Sequence, residues 1–372
     1  MTSEAEDRRF MAAALAIGRQ GQGRTAPNPP VGAVLVRQGP LGPVIVGAGR
    51  SGDGGRPHAE RYALAEAGGE AEGATLYVSL EPCSHFGRTP PCADALVGAR
   101  IGRAVIAIED PNPMVSGKGT EKLREAGIPL TFGVRADEAR RDLAGHITRM
   151  TLGRPHVRLK MAVDAEGAVG RRGAGQVAIT GALANTRTHL LRAECDAIAV
   201  GVGTVVADDP VLTCRLPGLA RWSPVRVVFD SDANVPPTAR LFADAATIPV
   251  IVFVGEGADA GRIAGLDAAG AEVERVGRGA DGRIDLAAAL ALLAARGITT
   301  LLVEGGPVLQ SALLVADLVD AVHRIAAPTT IDGDVMAPID AASLAERFEP
   351  ILSRRYGDDH WTEYWRDPCS QA

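Results

Sequence analysis

Aromatic residues make up only 4% of the 372 residues, and 39 Lys and Arg against 45 Asp and Glu leave a formal net charge of −6. A chain short of stacking side chains and of positive field has no global means of holding a polyanion, so nucleic acid is not an expected partner. Long apolar runs are missing as well. None is long enough to cross a bilayer, and no basic segment precedes an apolar one at the start, so no membrane partner and a cytoplasmic location are expected. Cysteine is scarce and odd in number, five in all. Of these, Cys195, Cys214 and Cys369 stand isolated, as thiols do in a reducing compartment. No internal repeat and no long low-complexity stretch appears. What remains is 46% hydrophobic and 23% charged, the composition of a globular chain too long for one ordinary core.

Periodicity divides the chain in two. Residues 4–19 carry Phe10, Ala13, Ala14 and Ile17 on one helical stripe, with Gly18, Gly21 and Gly23 ending it. Strands at 31–36, 44–46, 75–78, 104–108 and 129–132 alternate with helices at 58–67, 92–97 and 120–126, and a polar helix spans 136–150. The breaker Gly153-Arg154-Pro155 follows. Beyond it, strands at 156–163, 197–202, 225–229, 250–254, 272–276, 299–303 and 321–326 alternate with helices at 182–192, 262–269, 285–296 and 307–315. Both halves read as layered α/β, giving expected domains of 1–152 and 153–372. Periodicity says little about the charged, aromatic tail after Asp340.

Chemistry concentrates in residues 57–92. His58 and Glu60 stand in P-H-A-E, and Cys83 and Cys92 bracket S-H-F-G-R-T-P-P just beyond an apolar strand. One imidazole and two thiolates form a three-ligand zinc site whose fourth position stays open for water. Such a metal makes hydroxide near neutral pH. Glu60 is then placed to carry protons between that water and a leaving group. His-x-Glu followed by Pro-Cys is the pattern of zinc base deaminases, although the eight-residue spacer departs from the usual two. Chance packing of two cysteines near a turn is the plain alternative, and the combined context fits it poorly. Helix N-termini at His58 and Cys92 favour thiolate. Asn28 precedes the first strand and is placed either to face a ligand or simply to form a turn between prolines.

In the second half, G-V-G-T-V-V-A-D-D-P (201–210) and V-E-G-G-P (303–307) each put glycine directly after an apolar strand. Backbone amides there can approach phosphate oxygens. Strand–glycine–helix turns are common in every α/β fold, but two from one domain favour a dinucleotide site.

These segments, with D-P-N-P-M-V-S-G-K-G, make the chain resemble the bifunctional deaminase–reductases of riboflavin biosynthesis. The long Pro-Cys-Ser-His-x-Gly-Arg-Thr-Pro-Pro-Cys spacer is the one that family uses. The resemblance implies a cytidine-deaminase-like domain followed by a dihydrofolate-reductase-like domain, acting on a phosphoribosyl-pyrimidine with Zn2+ and NADPH. It matches His58, Cys83 and Cys92 to the metal, Glu60 to the proton carrier, and Asn28, His85, Arg88 and Asn112 to the deaminase pocket. It matches Lys160, Arg192, Leu212, Arg215 and Glu304 to reductase substrate contacts. Ala162, Ala178, Thr204, Asp208, Ser231, Gly305 and Gly306 match cofactor contacts, and a homo-oligomer through the reductase domain is implied. Phosphates are expected at the Gly305 and Gly306 amides, with Glu304 facing the substrate.

Several positions depart from the family. Ser51 stands where many relatives carry histidine, so one substrate contact is expected to be remade. Asp164 and Glu166 interrupt the usual S-x-D-G, and Gln176 and Ala178 replace a serine and a tryptophan. Asp164 is expected to bring negative charge toward a phosphate site unless a cation such as Lys160 pairs with it. Two other readings compete: a deaminase whose second domain is a silent binding or dimerisation module, and a nucleic-acid base deaminase, which the acidic, aromatic-poor composition opposes.

Overall fold

Ser3 starts the first helix. Its hydroxyl accepts the Glu6 amide and the Glu6 carboxylate accepts the Ser3 amide at 2.8 Å, a reciprocal cap that begins α1 (Glu4–Arg19). The computed structural model describes residues 3–366 apart from 85, 87–89, 114, 172–176 and 336–343. The chain forms two units, Met1–Gly153 and Arg154–Ala372. Among the described residues no helix is long and apolar enough to cross a membrane.

In the first unit α1 is followed by β1 (Gly32–Gly39), β2 (Gly42–Arg50), α2 (Ala59–Ala67), β3 (Thr75–Val78), α3 (Cys92–Gly98), β4 (Arg103–Ile106), α4 (Lys118–Glu125) and β5 (Leu130–Phe132). The strands order β2-β1-β3-β4-β5; the pairs β1/β2 and β1/β3 are antiparallel and the rest parallel. α1 buries Phe10, Met11, Ala14 and Leu15, so the apolar stripe lies about one residue round from the expected one, and Gly18 is buried inside the helix rather than ending it. Asp7 anchors α1 to the sheet. It accepts the Tyr77 hydroxyl at 2.8 Å and a forked pair from Arg103 at 2.9 and 2.8 Å. The expected single helix at 136–150 is two, α5 (Ala136–Asp142) and α6 (Ala144–Leu152), divided at buried Leu143. They answer to different partners: Asp142 takes Arg19 of α1, whereas His146 lies 3.1 Å from the buried Asp110 carboxylate.

The second unit runs β6 (His156–Val163), α7 (Ala182–Ala193), β7 (Ala197–Gly201), α8 (Val202–Asp208), β8 (Val225–Phe229), β9 (Val250–Gly255), α9 (Ala260–Ala268), β10 (Glu272–Val276), α10 (Leu286–Ala295), β11 (Thr300–Val303), α11 (Pro307–Val315), β12 (Ala321–Ala326), β13 (Glu349–Tyr356) and β14 (Asp359–Trp365). Strand order is β10-β9-β8-β7-β11-β6-β12-β14-β13, parallel from β10 to β12 and antiparallel at the last two pairings. Alternate residues of its central strands feed separate cores, Val157, Ala199, Val227 and Leu301 in one and Ile198, Val200, Val228 and Leu302 in the other. The unreadable tail is the β13–β14 hairpin. β13 is exposed along most of its length, so no alternation marks it. The Gly201 turn is itself a helix start, for α8 begins at Val202 with Gly201 as its cap.

Close approach of backbone decides where α2 sits. A Cβ on Gly47 of β2 would lie 2.1 Å from the Ala63 carbonyl oxygen of α2, so only glycine lets the helix rest on the strand. Gly47→Ala is expected to push α2 outward and cost about 1–3 kcal/mol, measured by urea unfolding of the full chain.

Candidate active sites

His58 caps α2, Glu60 lies in that helix's first turn, Cys92 opens α3, and Cys83 follows β3. The fold brings them together. His58 Nδ1 is 3.5 Å from Cys83 Sγ and 3.4 Å from Cys92 Sγ, and the Cys92 amide donates to Cys83 Sγ at 3.4 Å. A tetrahedral zinc with bonds of about 2.3 Å to sulfur and about 2.0 Å to nitrogen sets such a nitrogen and sulfur about 3.5 Å apart. The three donor atoms, all within 4.8 Å of one another, therefore fit that ion. Hydrogen bonding between the two thiols pulls Cys83 down to about 4 against the effect of burial, and the same hydrogen bonding with burial drives Cys92 up. Hydrogen bonding to Cys83 raises His58. Burial pushes Glu60 up to about 7, with the His58 imidazole opposing.

Around this cradle the expected contacts divide. Asn28 is half-buried with Nδ2 3.5 Å from the Gly55 carbonyl. The Asn112 amide donates to Asp110 at 2.9 Å, which shapes its loop. His85 and Arg88 lie outside the described residues. Ser51 corrects the expectation of a remade substrate contact: it is buried, gives its proton to the Pro29 carbonyl at 2.8 Å and accepts the Val31 amide at 3.1 Å. Its hydroxyl is consumed by the fold. Sequence reasoning passed over Glu81, buried two residues before Cys83. Its carboxylate accepts the amides of Asp110, Gly117, Gly119 and Thr120 at 3.1–3.3 Å. The available signal was a carboxylate inside an apolar strand end, which has to find donors.

In the second unit, Arg192 of α7 forks onto Glu304, just past β11, at 2.7 and 2.8 Å, and donates to the Thr213 carbonyl at 3.0 Å. Burial pushes the Glu304 carboxyl up, but Arg192 and then Lys160 overcome this and bring it down to about 2. Burial lowers Lys160, with Glu304 opposing. Leu212, directly before Thr213, is buried at φ +58°, and the exposed Arg215 gives its amide to His189 Nδ1 at 3.3 Å. Lys160, Arg192 and Glu304 are one cluster, with His189 an addition that sequence reasoning did not make.

The cofactor set is only partly assembled. Thr204 Oγ1 accepts the Gly306 amide at 3.1 Å, which joins the two glycine turns to each other. With that bond the Gly306 amide already has a partner within the chain. Gln310, also unforeseen, donates to the Gly305 and Lys160 carbonyls at 2.8 and 3.1 Å. Ser231 follows β8, and its hydroxyl accepts the Ile284 amide at 3.1 Å. Burial raises Asp208. Ala162 is half-buried in β6, whereas Ala178 and Glu166 are exposed, and Gln176 lies outside the described residues. Asp164 is the clearest correction. It is buried and accepts the amides of Glu166, Ala168 and Ile331 at 3.0, 2.7 and 2.8 Å, so backbone donors rather than a cation hold it. Burial raises its carboxyl, but those amides outweigh burial and keep it below the ordinary range.

Residues 4–108 match the cytidine and deoxycytidylate deaminase zinc-binding region, and residues 155–360 match the RibD C-terminal domain. The riboflavin biosynthesis protein RibD of Bacillus amyloliquefaciens is 39% identical over 329 residues, 88% of this chain and 86% of its own. This chain belongs to the RibD family. The Escherichia coli RibD is 36% identical, covering 88% of this chain and 89% of that protein. Among solved structures, Acinetobacter baumannii RibD superposes with a TM-score of 0.85 at 33% identity, over 98% of this chain and 100% of that one. A Thermotoga maritima deaminase/reductase gives 0.82 at 33% identity, over 98% and 99%. A RibD-family chain is a deaminase and a reductase in riboflavin biosynthesis, with zinc and NADPH as cofactors.

Glu304→Gln leaves Arg192 without its ionic partner and is expected to cost about 3–5 kcal/mol, read by urea unfolding. The wild-type carboxyl sits at about 2, below the ordinary 4.5. Its contribution is therefore full above about pH 4.5 and lost as pH falls toward 2, because the unfolded chain takes the proton first. The variant should flatten stability over that window. Asp164→Ser should destabilise by about 1–3 kcal/mol through the stranded amides and should not improve reduction, as paired unfolding and reductase assays will read.

Proposed function

We propose that the first unit hydrolyses the ring amino group of 2,5-diamino-6-(5-phosphoribosylamino)pyrimidin-4-one and that the second reduces the ribosyl side chain of the product to ribityl with NADPH. The observation that carries this is the three-donor cradle with the buried carboxyl of Glu60 two residues beyond its imidazole. His58, Cys83 and Cys92 would hold zinc, which supplies Lewis acidity and an acidified water. Glu60, already near neutrality in its protonation, takes a proton from the attacking water and passes it to the amino nitrogen that leaves as ammonia. Asn28 and Asn112 border the pyrimidine, with His85 and Arg88 meeting its phosphate.

In the second unit Lys160 and the Arg192–Glu304 pair receive the phosphoribosyl end, with Leu212 and Arg215 lining it. Thr204, Asp208, Ser231, Ala162, Ala178, Gly305 and Gly306 border the nicotinamide cofactor. Support comes from the placement of Thr204, Asp208, Ser231, Gly305 and Gly306 past the carboxyl ends of β7, β8 and β11, near the point where the strand order reverses and α/β sheets take ligands. Free, buried Cys195 and Cys214 suit a reducing cytoplasm, and self-association through the second unit belongs to the same reading.

Product analysis on the aminopyrimidine decides it. Ammonia should be released without NADPH, and the ribityl product should need NADPH. Ammonia with no NADPH oxidation would leave a deaminase joined to a silent module. Metal analysis of protein purified without chelators should give one zinc per chain. Glu60→Gln should keep that zinc and lose roughly 10²-fold or more in deamination.

A further inference from the structure

Glu81 is buried, and the four amides it accepts come from one loop, Asp110 and Gly117 on one carboxylate oxygen and Gly119 and Thr120 on the other. The Thr120 hydroxyl is 3.3 Å from the carboxylate but 2.9 Å from the Gly117 carbonyl, to which it gives its single proton. Two of the four donors, Gly119 and Thr120, lie in the first turn of α4 and a third, Gly117, is its N-cap residue, so Glu81 caps that helix from a different part of the chain. The fit is tight. A Cβ on Gly119 would lie 1.8 Å from the Pro82 carbonyl oxygen, between Glu81 and Cys83. Glu81 itself continues the β3–β4 pairing, its amide donating to the Ile108 carbonyl at 3.0 Å. The loop is braced again by Asp110, which accepts the Asn112 amide at 2.9 Å and faces His146 at 3.1 Å.

We infer that Glu81 is a positioning residue of the deaminase: it sets the 110–120 loop, and with it Asn112, in register with the stretch that carries Cys83. The inference rests on the proposed deaminase reading. A single three-residue stretch holds a donor of the metal cradle at one end and the anchor of the substrate loop at the other. Neither can shift without the other.

Glu81→Gln tests this, because a carboxamide turns an NH2 toward two of the four amides while keeping size. In the zinc-loaded full chain, KM for the aminopyrimidine should rise tenfold or more with kcat within about threefold and zinc still one per chain. Amide exchange should speed up at Gly117, Gly119 and Thr120. Asn112→Ala combined with Glu81→Gln should cost much less than the two changes summed, the mark of one shared device. Gly117→Ala, at a φ of +78° that disfavours a side chain, disturbs the same loop from its other end and should raise KM with zinc retained. It serves if Glu81→Gln does not fold, with NADPH-dependent reduction by the same protein as the folding control. An unchanged KM in the folded variant, additive effects in the cycle, or loss of zinc from the variant overturns the inference. Wild-type protein that releases no ammonia overturns both it and the deaminase reading.

Discussion

A carboxylate taken out of water must be given donors or a cation, and which of these it receives decides what it can do. Asp7 receives a guanidinium and a phenol, Glu81 four amides, Asp164 three, and Glu304 a guanidinium. Each of these is fixed in place by the groups that donate to it and acts as a brace. Glu60 is provided for differently. Burial dominates its surroundings and moves it up to about 7, whereas Glu304 is brought down to about 2. The same side chain is raised in one unit and lowered in the other because of what surrounds it.

The second unit depends on where its strands end. β7, β8, β9 and β10 succeed one another outward, then β11 returns between β7 and β6 and β12 lies beyond β6. Crossovers thus leave in opposite directions around β11, and the crevice this opens at the carboxyl ends needs no special loop. Glu304 and the Gly305-Gly306 turn follow β11, and Gly201 ends β7. The hydroxyl of Thr204 closes the two turns on each other through the Gly306 amide.

The zinc cradle was legible because its chemistry is local: His58 and Cys92 start helices, and Cys83 ends a strand run. Elements with strong periodicity came out within a residue or two, β6 and β12 among them. What was illegible depended on distant partners. Ser51 and Asp164 stand out in sequence as departures near binding positions, yet they have partners 22 and 167 positions away that hold them in the fold. Glu81 is visible only once the 110–120 loop is folded over it. β13 was hidden because an edge strand exposed on both faces has no apolar alternation to betray it.

Leu212 shows how far the second site reaches into the backbone. A buried leucine at φ +58° costs about 1–2 kcal/mol, so its neighbours must enforce the conformation. The next three residues do so in turn: the Thr213 carbonyl accepts Arg192, the Cys214 amide donates to Ser223 Oγ at 3.0 Å, and the Arg215 amide donates to His189. Two of those ties run to α7, the helix that also supplies the partner of Glu304. Arg192 therefore sets a charge and a loop with one side chain. Lysine in its place would keep the charge but not the fork that serves both. The geometry of the loop and the ionisation of Glu304 cannot be varied independently.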